Sequence, residues 1–422
     1  MNILQINKFF YLRGGAERHY FDVIDLLEEK GHTVIHFSMQ DSRNRPSPYS
    51  TYFVSHLELG DIQKTPLTVA GRILYSREAA RRLSALIDKT RPDVAHVHLA
   101  YYHLSHAVLR VLRKKKVPIV YTIHDWKLIC PHYILYPEGA CGEKSYAGSV
   151  FNAIRYRCFK NSFLASTLAV AEYLLSKRWY RYIDALIAPS QFVKDKFESL
   201  GWHGAPITVV PHFVEIPNCT RAARLFKTDD TVLFAGRLAP EKGLRFLLSA
   251  WAKQNIPYRL RIAGSGPLEI ELKEFVRKHG LKDRVEFLGF LGKQELIKVM
   301  VQAGLLVIPS EFYEAFAYSV IESSAAGLPV LSSNIGPTPE YLKKSGGGWV
   351  YPLGDQKGFS RQINTIMGDV EGRKKAAQKG AEFVKQSFSK AKFYDRLMKV
   401  YGRVSKQTYY SSERPHVAKP SA

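Results

Sequence analysis

Cysteine is scarce in this sequence, with four residues in a chain of 422. So few cysteines cannot build the disulfide framework that stabilises small secreted domains. Cys130, Cys141 and Cys158 nevertheless share one short segment, and Cys219 lies apart from them. We expect these cysteines to be reduced structural thiols. A metal site at these cysteines would need a further ligand such as His132, and the spacing of these residues is not typical of zinc sites.

The chain also lacks a hydrophobic run of the roughly 18 to 20 residues that a helix needs to cross a bilayer. A secretory leader is not expected, because Met1 opens directly into a short apolar strand without a basic segment and a long apolar core. The hydrophobic content of 46% and aromatic content of 12% are typical of a globular chain with large cores. We therefore expect a cytoplasmic protein with two or three domains.

Acidic residues are few relative to basic ones, since 38 Asp and Glu against 61 Lys and Arg give a net charge of +23. The basic residues occur in small groups, often beside aromatic residues and leucines: 77–82, 113–116, 155–160 and 177–181. This dispersed pattern contains no nucleic-acid-reading motif, so we expect no nucleic acid partner. We expect a peripheral contact with the anionic cytoplasmic face of an inner membrane, a basic surface unrelated to lipid being the alternative.

Short apolar runs alternate with helical patterns along the chain, which indicates parallel sheets covered by helices. A second alternating series begins at Thr231, after a polar stretch at 217–229. The sequence therefore predicts an α/β protein with two Rossmann-like, doubly wound domains facing each other across a cleft. The predicted parts are residues 1–208, residues 209–387, a helix at 388–406 that packs back on the first domain, and a disordered tail at 407–422.

Two carboxylates mark the segment 309–330, in which a strand, a loop and a helix from about Ala315 follow each other. Glu314 falls at the predicted helix start, where the helix dipole favours a negative charge. That effect does not explain Glu322, which lies two turns further along a helix of small apolar residues. Glu322 could accept hydrogen bonds from ribose hydroxyls, a role that carboxylates have in nucleotide-binding domains.

Glycines follow predicted strands at two further places. Gly14 and Gly15 open a helix, where backbone N–H groups can approach a phosphate; a tight turn with a helix cap is an equally good interpretation. Gly264 follows the strand at 258–263, and taken alone it is more typical of a plain turn.

Cationic and imidazole side chains also lie beyond strand ends, which is where ligands bind in doubly wound domains. Arg237 and Lys242 follow the strand at 232–235, and together they offer a guanidinium fork and a compact charge to a diphosphate. Solvated surface charges are the alternative there. His124 follows the strand at 117–123, and a purely structural histidine is the alternative for that residue.

Five segments occur in the order found in one enzyme family: GGAE at 14–17, HDW at 124–126, FAGRLAPEKG at 234–243, IAGSGP at 262–267 and EAFAYSVIE at 314–322. Over nearly the whole chain, to about Tyr401, the sequence resembles the family 4 retaining glycosyltransferases of GT-B fold. The last three segments in combination are the most specific. Relatives with a cysteine-bearing loop usually have two cysteines separated by two residues, whereas this chain reads Cys-Gly-Glu-Lys at 141–144.

The resemblance implies transfer of a sugar from a nucleotide-diphosphate sugar, held by the second domain, to a glycan or polyprenyl-linked acceptor, held by the first. Surface polysaccharide synthesis is the expected process, without a divalent metal or other cofactor. The implied catalytic residues are Glu314, His124, Lys242 and Arg237. The implied donor-binding residues are Gly14, Gly15, Arg237, Lys242, Gly264, Leu288, Leu291, Phe316 and Glu322.

Each implied role agrees with the chemistry of the side chain. Arg237 and Lys242 would neutralise the diphosphate, Glu322 would hold the ribose, and Glu314 and His124 would contact the donor sugar. Two other functions remain open, a nucleotide-sugar epimerase or hydrolase with the same fold and a non-catalytic glycan- or nucleotide-binding protein. The nucleotide base, the sugar and the acceptor are not determined by the sequence.

Overall fold

The computed structural model describes residues 1–58, 66–137, 142–143, 149–215, 231–254 and 256–412. The chain divides into two compact units: unit 1 contains residues 1–133, 145–211 and 393–422, and unit 2 contains residues 134–144 and 212–392. This division differs from the predicted boundary at 208 and 209 by a few residues. It also assigns 134–144 to unit 2, where the Tyr313 N–H donates to the Leu135 carbonyl at 2.9 Å.

Unit 1 is built on one sheet of six parallel strands in the order β2-β1-β3-β4-β5-β6. The strands are β1 (Asn2–Ile6), β2 (Thr33–Phe37), β3 (Val94–Val97), β4 (Ile119–Thr122), β5 (Ala185–Ala188) and β6 (Ile207–Val209). The helices are α1 (Gly15–Glu29), α2 (Pro66–Leu74), α3 (Arg77–Thr90), α4 (Ala107–Lys114), α5 (Asn152–Arg155), α6 (Phe163–Tyr180) and α7 (Gln191–Ser199). The central strands β3, β4 and β5 are buried along their whole length because helices cover both faces of a parallel sheet.

Serine side chains determine where several helices of unit 1 begin. The Oγ atoms of Ser76, Ser162 and Ser190 each accept a hydrogen bond from the backbone N–H three residues later. Such a cap satisfies one of the N–H groups that a helix start leaves without a partner. The helical pattern of the sequence alone predicts one continuous helix over about 70–89. In the structure this region is divided into α2 and α3, because the cap at Ser76 begins a new helix.

Unit 2 repeats the architecture with six parallel strands in the order β12-β11-β10-β7-β8-β9. The strands are β7 (Thr231–Ala235), β8 (Arg259–Ala263), β9 (Val285–Gly289), β10 (Leu305–Ile308), β11 (Val330–Ser333) and β12 (Gly348–Tyr351). The helices are α8 (Leu244–Lys253), α9 (Glu269–Lys278), α10 (Lys293–Gln302), α11 (Tyr318–Ala325), α12 (Thr338–Ser345), α13 (Gln356–Gly368) and α14 (Val370–Ser387). Two doubly wound α/β units are thus present, as the sequence predicts.

The strand order creates a crevice in each sheet. In unit 2 the chain adds β8 and β9 on one side of β7 and then places β10 on the other side. In unit 1, β2 and β3 likewise lie on opposite sides of β1. The loops that leave such a strand pair run in opposite directions, and the gap between them is where doubly wound domains bind ligands.

The last helix, α15 (Lys390–Ser412), packs from Phe393 onward within unit 1. The Tyr401 hydroxyl lies 2.7 Å from Nδ1 of His96 on β3. The helix as described reaches Ser412 and so includes residues 407–412 of the tail that the sequence predicts as disordered. The disordered tail stays a prediction. Residues 413–422 lie outside the described residues. In the part of the chain that the structure describes, no helix has the length and apolar character to cross a bilayer.

Candidate active site

The loops after β7 and β10 meet at the crevice of unit 2. Lys242 Nζ, from the first loop, lies 3.0 Å from Glu314 Oε2, from the second. The Ser310 hydroxyl donates to the other carboxylate oxygen of Glu314. The two charged side chains are only 22% and 12% exposed, so the ion pair lies at the edge of the protein interior. Two residues that the sequence predicts as catalytic therefore form one unit.

Backbone contacts hold the two loops in register. Lys242 ends a single turn of 3₁₀-helix and is followed by Gly243 with a φ of 71°. A Cβ at Gly243 would lie 1.8 Å from the Pro309 carbonyl oxygen, so only glycine fits there. The Glu311 N–H also donates to the Glu241 carbonyl at 2.9 Å. These contacts fix the distance between Lys242 and Glu314.

Arg237 is the more accessible cation of the same loop. Its side chain is 60% exposed, and Nη2 lies 3.5 Å from Oε1 of the largely buried Glu241. A long ion pair of this kind contributes little to stability, and it leaves most of the guanidinium donors directed to solvent. Arg237 and Lys242 thus present one accessible and one anchored cation at the same loop.

Gly264 has a packing role in the structure. Its φ is 139°, and a Cβ there would lie 1.9 Å from the Gly236 carbonyl oxygen. The Gly264 N–H donates to the Gly289 carbonyl at 2.7 Å, and the Gly236 N–H donates to the Ala263 carbonyl at 3.0 Å. The loops after β7, β8 and β9 are therefore in close contact at this glycine. Its predicted contact with a donor stays a prediction.

The helix in the segment 309–330 begins at Tyr318, later than the predicted start near Ala315. Glu314 therefore lies in the loop before α11 and not in its first turn. The explanation from the helix dipole is wrong for this residue, because the negative charge is balanced by Lys242 Nζ and the Ser310 hydroxyl. Glu322 lies inside α11 and is only 8% exposed.

The predicted donor-binding residues Leu288, Leu291 and Phe316 are half-buried and pack against one apolar cluster of unit 2. That cluster includes Ile308, the last residue of β10, and Ile321 in α11. The structure thus brings the apolar members of the predicted set to the elements that carry Glu314 and Glu322. Whether they contact a nucleotide stays a prediction.

Ser310 and Phe312 contribute to this site and were not predicted from the sequence. Ser310 hydrogen-bonds Glu314, and the Phe312 ring lies 5.1 Å from Lys242 Nζ. Gly243, which ends the FAGRLAPEKG segment, permits the close approach of the two loops. A weak signal existed for Ser310, which follows a strand and precedes Glu314 by one helical turn. The pairing across two loops requires the strand order, which the sequence pattern does not specify.

His124 follows β4 in unit 1 and is held by a chain of hydrogen bonds. His98 Nδ1 lies 2.9 Å from His124 Nε2, and His98 Nε2 lies 2.9 Å from Gln5 Oε1. An amide oxygen only accepts, so a neutral His98 donates from Nε2 and accepts at Nδ1. His124 must then donate from Nε2, which makes its Nδ1 the accepting nitrogen. His124 is thereby oriented in one tautomer by residues on β1 and just beyond β3.

A second polar group lies close to the same strand ends. Lys8 follows β1, and its Nζ stands 3.7 Å from the centroid of the Tyr101 ring. Burial lowers the pKa of Lys8 to about 8, although Asp125 and Glu17 oppose that shift. The Tyr101 hydroxyl donates to Asp125, whose pKa is raised mainly by burial. The HDW segment pointed to Asp125, but nothing in the sequence identified Lys8.

Gly14 and Gly15 lie at the start of α1, as predicted. The Gly14 backbone is extended, with a φ of −166°, a conformation that any residue adopts. A Cβ at Gly14 would meet only Glu17 Oε2, at 3.7 Å. The fold itself therefore does not require glycine at this position, which keeps the prediction of a close ligand approach open.

Four histidines of unit 1, three of them buried and His124 half-buried, should make the protein sensitive to acid. Burial lowers their pKa values, to about 4 for His36, 3 for His96, 2 for His103 and 3 for His124. Below the ordinary pKa of about 6.5 the unfolded chain binds protons that the folded state does not, so stability falls as the pH falls. We expect a slope of about 1.4 kcal/mol per pH unit for each such histidine between pH 6 and 4.5. Urea unfolding followed at several pH values measures it.

The matched variants for this prediction are His96→Gln, at a buried site, and His279→Gln, at an exposed one. His96→Gln should reduce the slope, whereas His279→Gln should leave it unchanged. The slope is the readout, because the buried substitution also alters absolute stability. The raised pKa values of Glu17 and Asp125 act in the opposite direction, since these groups gain protons more readily in the folded state. An equal slope in both variants would show that buried imidazoles are not the cause.

The cysteines differ from the expectation of reduced thiols. Cys158 is disulfide-bonded, whereas Cys130 is a free, buried thiol whose pKa is raised to about 12 by burial. The expectation is therefore wrong for Cys158. Cys141 and Cys219 lie outside the described residues. Across the residues that the structure describes, no group of three or more His, Cys, Asp or Glu side chains is arranged to hold a metal ion.

Two family models match consecutive parts of the chain. One, described as Glycosyltransferase Family 4, matches residues 13–216, and the other, Glycosyl transferases group 1, matches residues 218–383. A glycogen synthase of Mycobacterium tuberculosis is 26% identical over 394 residues, covering 88% of this chain and 86% of that protein. A phosphatidylinositol N-acetylglucosaminyltransferase component of Arabidopsis thaliana is 26% identical over 353 residues, covering 81% of this chain and 69% of that protein.

Solved structures share the fold over almost the full length. A sucrose-phosphate synthase from Thermosynechococcus elongatus matches with a TM-score of 0.69 at 18% identity, covering 97% of this chain and 99% of that one. Anabaena Alr3699/HepE in complex with UDP-glucose matches with a TM-score of 0.64 at 18% identity, covering 96% of this chain and 100% of that one. The fold is thus GT-B, and together with the two family models it shows that the chain belongs to the family 4 glycosyltransferases.

Proposed function

We propose that this glycosyltransferase retains anomeric configuration and moves a hexose-type sugar from a nucleotide-diphosphate sugar to a glycan or polyprenyl-linked acceptor. Surface polysaccharide synthesis is the proposed process. The observation that carries the proposal is the Lys242–Glu314 ion pair at the crevice of unit 2, with Arg237 exposed on the same loop. It supports the proposal because two cations and a carboxylate lie at a crevice of the kind in which doubly wound domains bind nucleotides. The likeness in fold to HepE, solved with UDP-glucose, agrees with this class of donor.

The two cations are proposed to bind the diphosphate of the donor. Negative charge grows on the departing nucleoside diphosphate as the bond to the sugar breaks, and fixed cations stabilise it without reorganisation. The 60% exposed Arg237 can close on the ligand, while Lys242 is already fixed by Glu314. Because the protein supplies both charges, we propose that transfer needs no divalent metal.

Glu314 is proposed to orient sugar hydroxyls rather than to act as a nucleophile. Both of its oxygens already accept, one from Lys242 and one from Ser310, which lowers their reactivity toward the anomeric carbon. A double displacement requires a free carboxylate at that carbon. We therefore propose that the acceptor hydroxyl attacks on the face from which the diphosphate departs, and that a departing phosphate oxygen takes its proton. The roles of His124, Gly14 and Gly15 stay predictions from the resemblance.

Glu322 is proposed to bind the ribose, so Glu322→Gln should raise the KM for the donor about tenfold while changing kcat less. The substitution removes the binding free energy of a charged hydrogen bond. This bond is made equally in the ground state and the transition state, so its loss affects KM more than kcat. Thermal-shift screening with UDP-, GDP- and ADP-sugars identifies the donor, and initial rates with that donor give KM. A fall in kcat at unchanged KM would contradict the ribose role.

The same purified protein tests the chemistry of the proposal. Transfer should continue in excess EDTA, and NMR of the product should show the anomeric configuration of the donor sugar. Inversion of that configuration would overturn the proposed retention. Loss of activity in EDTA that a divalent metal restores would overturn the proposed metal independence. Sugar release at the same rate with and without acceptor would indicate a hydrolase instead.

A peripheral contact with an anionic membrane is also proposed. The net charge of +23 favours an anionic partner, and a polyprenyl-linked acceptor would be located in a bilayer. The basic residues occur in small groups beside aromatic and leucine residues, a composition typical of membrane-surface segments.

A further inference from the structure

Helix α6 buries several polar side chains and exposes several apolar ones. Its buried side carries the polar residues Ser166, Glu172 and Ser176 beside Ala169, Val170, Tyr173 and Tyr180. Its outer side carries Leu164, which is 71% exposed, and Leu174, which is 41% exposed. Surface helices normally direct apolar residues to the core and charges to water. The exposed apolar side of α6 therefore requires an explanation other than the stability of unit 1.

The buried polar contacts prevent α6 from rotating its apolar side inward. Glu172 Oε2 lies 2.6 Å from Lys127 Nζ, and Glu172 Oε1 lies 3.2 Å from His106 Nδ1. The Ser176 hydroxyl donates to the same carboxylate at 2.9 Å, and the Tyr173 hydroxyl donates to the Ile129 carbonyl at 3.2 Å. Rotation would strand a buried carboxylate and a buried ammonium, which is a large penalty. The outward direction of the leucines is thus a fixed feature of the fold.

The outer side forms one stripe along the helix. Its residues are separated alternately by three and four positions, the spacing that keeps side chains on one helix face: the exposed Leu164, Ala171 and Leu174, the half-buried Thr167 and the charged Arg178 at the C-terminal end. Phe163, in the first turn, is 62% exposed. Several exposed apolar side chains grouped on one helix face are typical of an interaction site on a folded protein.

The charges around the stripe identify its partner. Six basic residues lie in the segment 149–182, all exposed and all close to the two ends of α6: Arg155, Arg157, Lys160, Lys177, Arg178 and Arg181. The only acidic residue of that segment is Glu172, which is buried and paired. Two copies of such a surface would repel each other, whereas anionic lipid headgroups complement it.

We propose that the outer face of α6 lies in the headgroup region of an anionic phospholipid bilayer, with the helix axis parallel to the membrane. The helix is about 27 Å long, so both basic groups can contact headgroups while the leucines and Phe163 enter the acyl boundary. Phe151 and Tyr156, which flank α5 beside α6, are also exposed, at 59% and 40%. This inference rests on the proposed membrane contact and assigns it to one surface.

Flotation of the full chain with vesicles tests the assignment. Phosphatidylcholine vesicles with phosphatidylglycerol should bind the protein in a salt-sensitive manner, and pure phosphatidylcholine vesicles should bind it much less. The double variant Phe163→Ser/Leu164→Ser should reduce binding about tenfold or more, because apolar burial and charge act together at the interface. Leu164→Ser alone should reduce it less. The matched control is Ile270→Ser, since Ile270 is 83% exposed in the first turn of α9 in unit 2.

The possible outcomes separate this surface from the proposed function. Reduced vesicle binding by the α6 variants, with an unchanged melting curve and unchanged transfer to a water-soluble acceptor, supports the inference. Equal vesicle binding by the wild-type protein and the α6 variants overturns the assignment of membrane contact to α6, but not the proposed membrane contact itself. Absence of wild-type binding overturns both, while activity on the soluble acceptor still reports on glycosyl transfer. The wild-type protein could instead form a dimer that binds no vesicles and that the substitution Leu164→Ser dissociates. This result would assign the outer face of α6 to contact with a second copy of the chain and would overturn the proposal.

Discussion

Lys242→Ala and Glu314→Gln are each expected to lower kcat/KM for glycosyl transfer by about 10²- to 10³-fold. The ammonium and carboxylate lie 3.0 Å apart, so loss of either one releases the other from its fixed position at the crevice of unit 2. Lys242→Ala also removes a charge from the proposed diphosphate site, and Glu314→Gln leaves Ser310 with a neutral partner. Initial-rate kinetics with the donor found by thermal shift give both values.

The double variant Lys242→Ala/Glu314→Gln should lose little more than either single variant, because residues that act as one unit are not additive. The matched control is the ion pair of Arg245 with Glu271, which lies on the surface of the same unit with side chains 56% and 51% exposed. Arg245→Ala should leave kcat/KM nearly unchanged, as exposed pairs contribute little. Near-normal rates in both single variants, or losses that multiply in the double variant, would contradict the paired role.

The strands and the fold class could be predicted from the sequence because parallel strands covered on both faces are continuous apolar runs. The strands predicted at 232–235 and 258–263 match β7 and β8 within one residue. Helix ends were less accurate, since they depend on individual hydrogen bonds. The separation of α2 from α3 by the Ser76 cap and the late start of α11 at Tyr318 are both local effects of that kind.

The members of the candidate site could be named from motifs, but their pairing could not. Lys242 and Glu314 are distant in sequence and meet only because β10 lies beside β7. The same limit applies to His124, whose tautomer is determined by His98 and Gln5 on two other parts of the sheet. A motif specifies a side chain and its loop, while strand order determines its partners.

Gly243→Ala is expected to destabilise unit 2 by about 3 kcal/mol or more, the sum of backbone strain and a steric clash. Gly243 has a φ of 71°, and an added methyl carbon would lie 1.8 Å from the Pro309 carbonyl oxygen. The matched control is Gly280→Ala, whose φ is 64° but whose Cβ would meet no atom within 4 Å. Gly280→Ala should cost only the left-handed backbone strain, about 1 to 2 kcal/mol.

Urea unfolding followed by circular dichroism measures the loss of stability in both variants, and donor thermal shifts measure donor binding. Because the Pro309 contact holds the Lys242 loop against the Glu314 loop, Gly243→Ala should also weaken donor binding, whereas Gly280→Ala should not. Equal losses of stability in the two variants would show that the loops separate freely and that the ion pair does not depend on this contact.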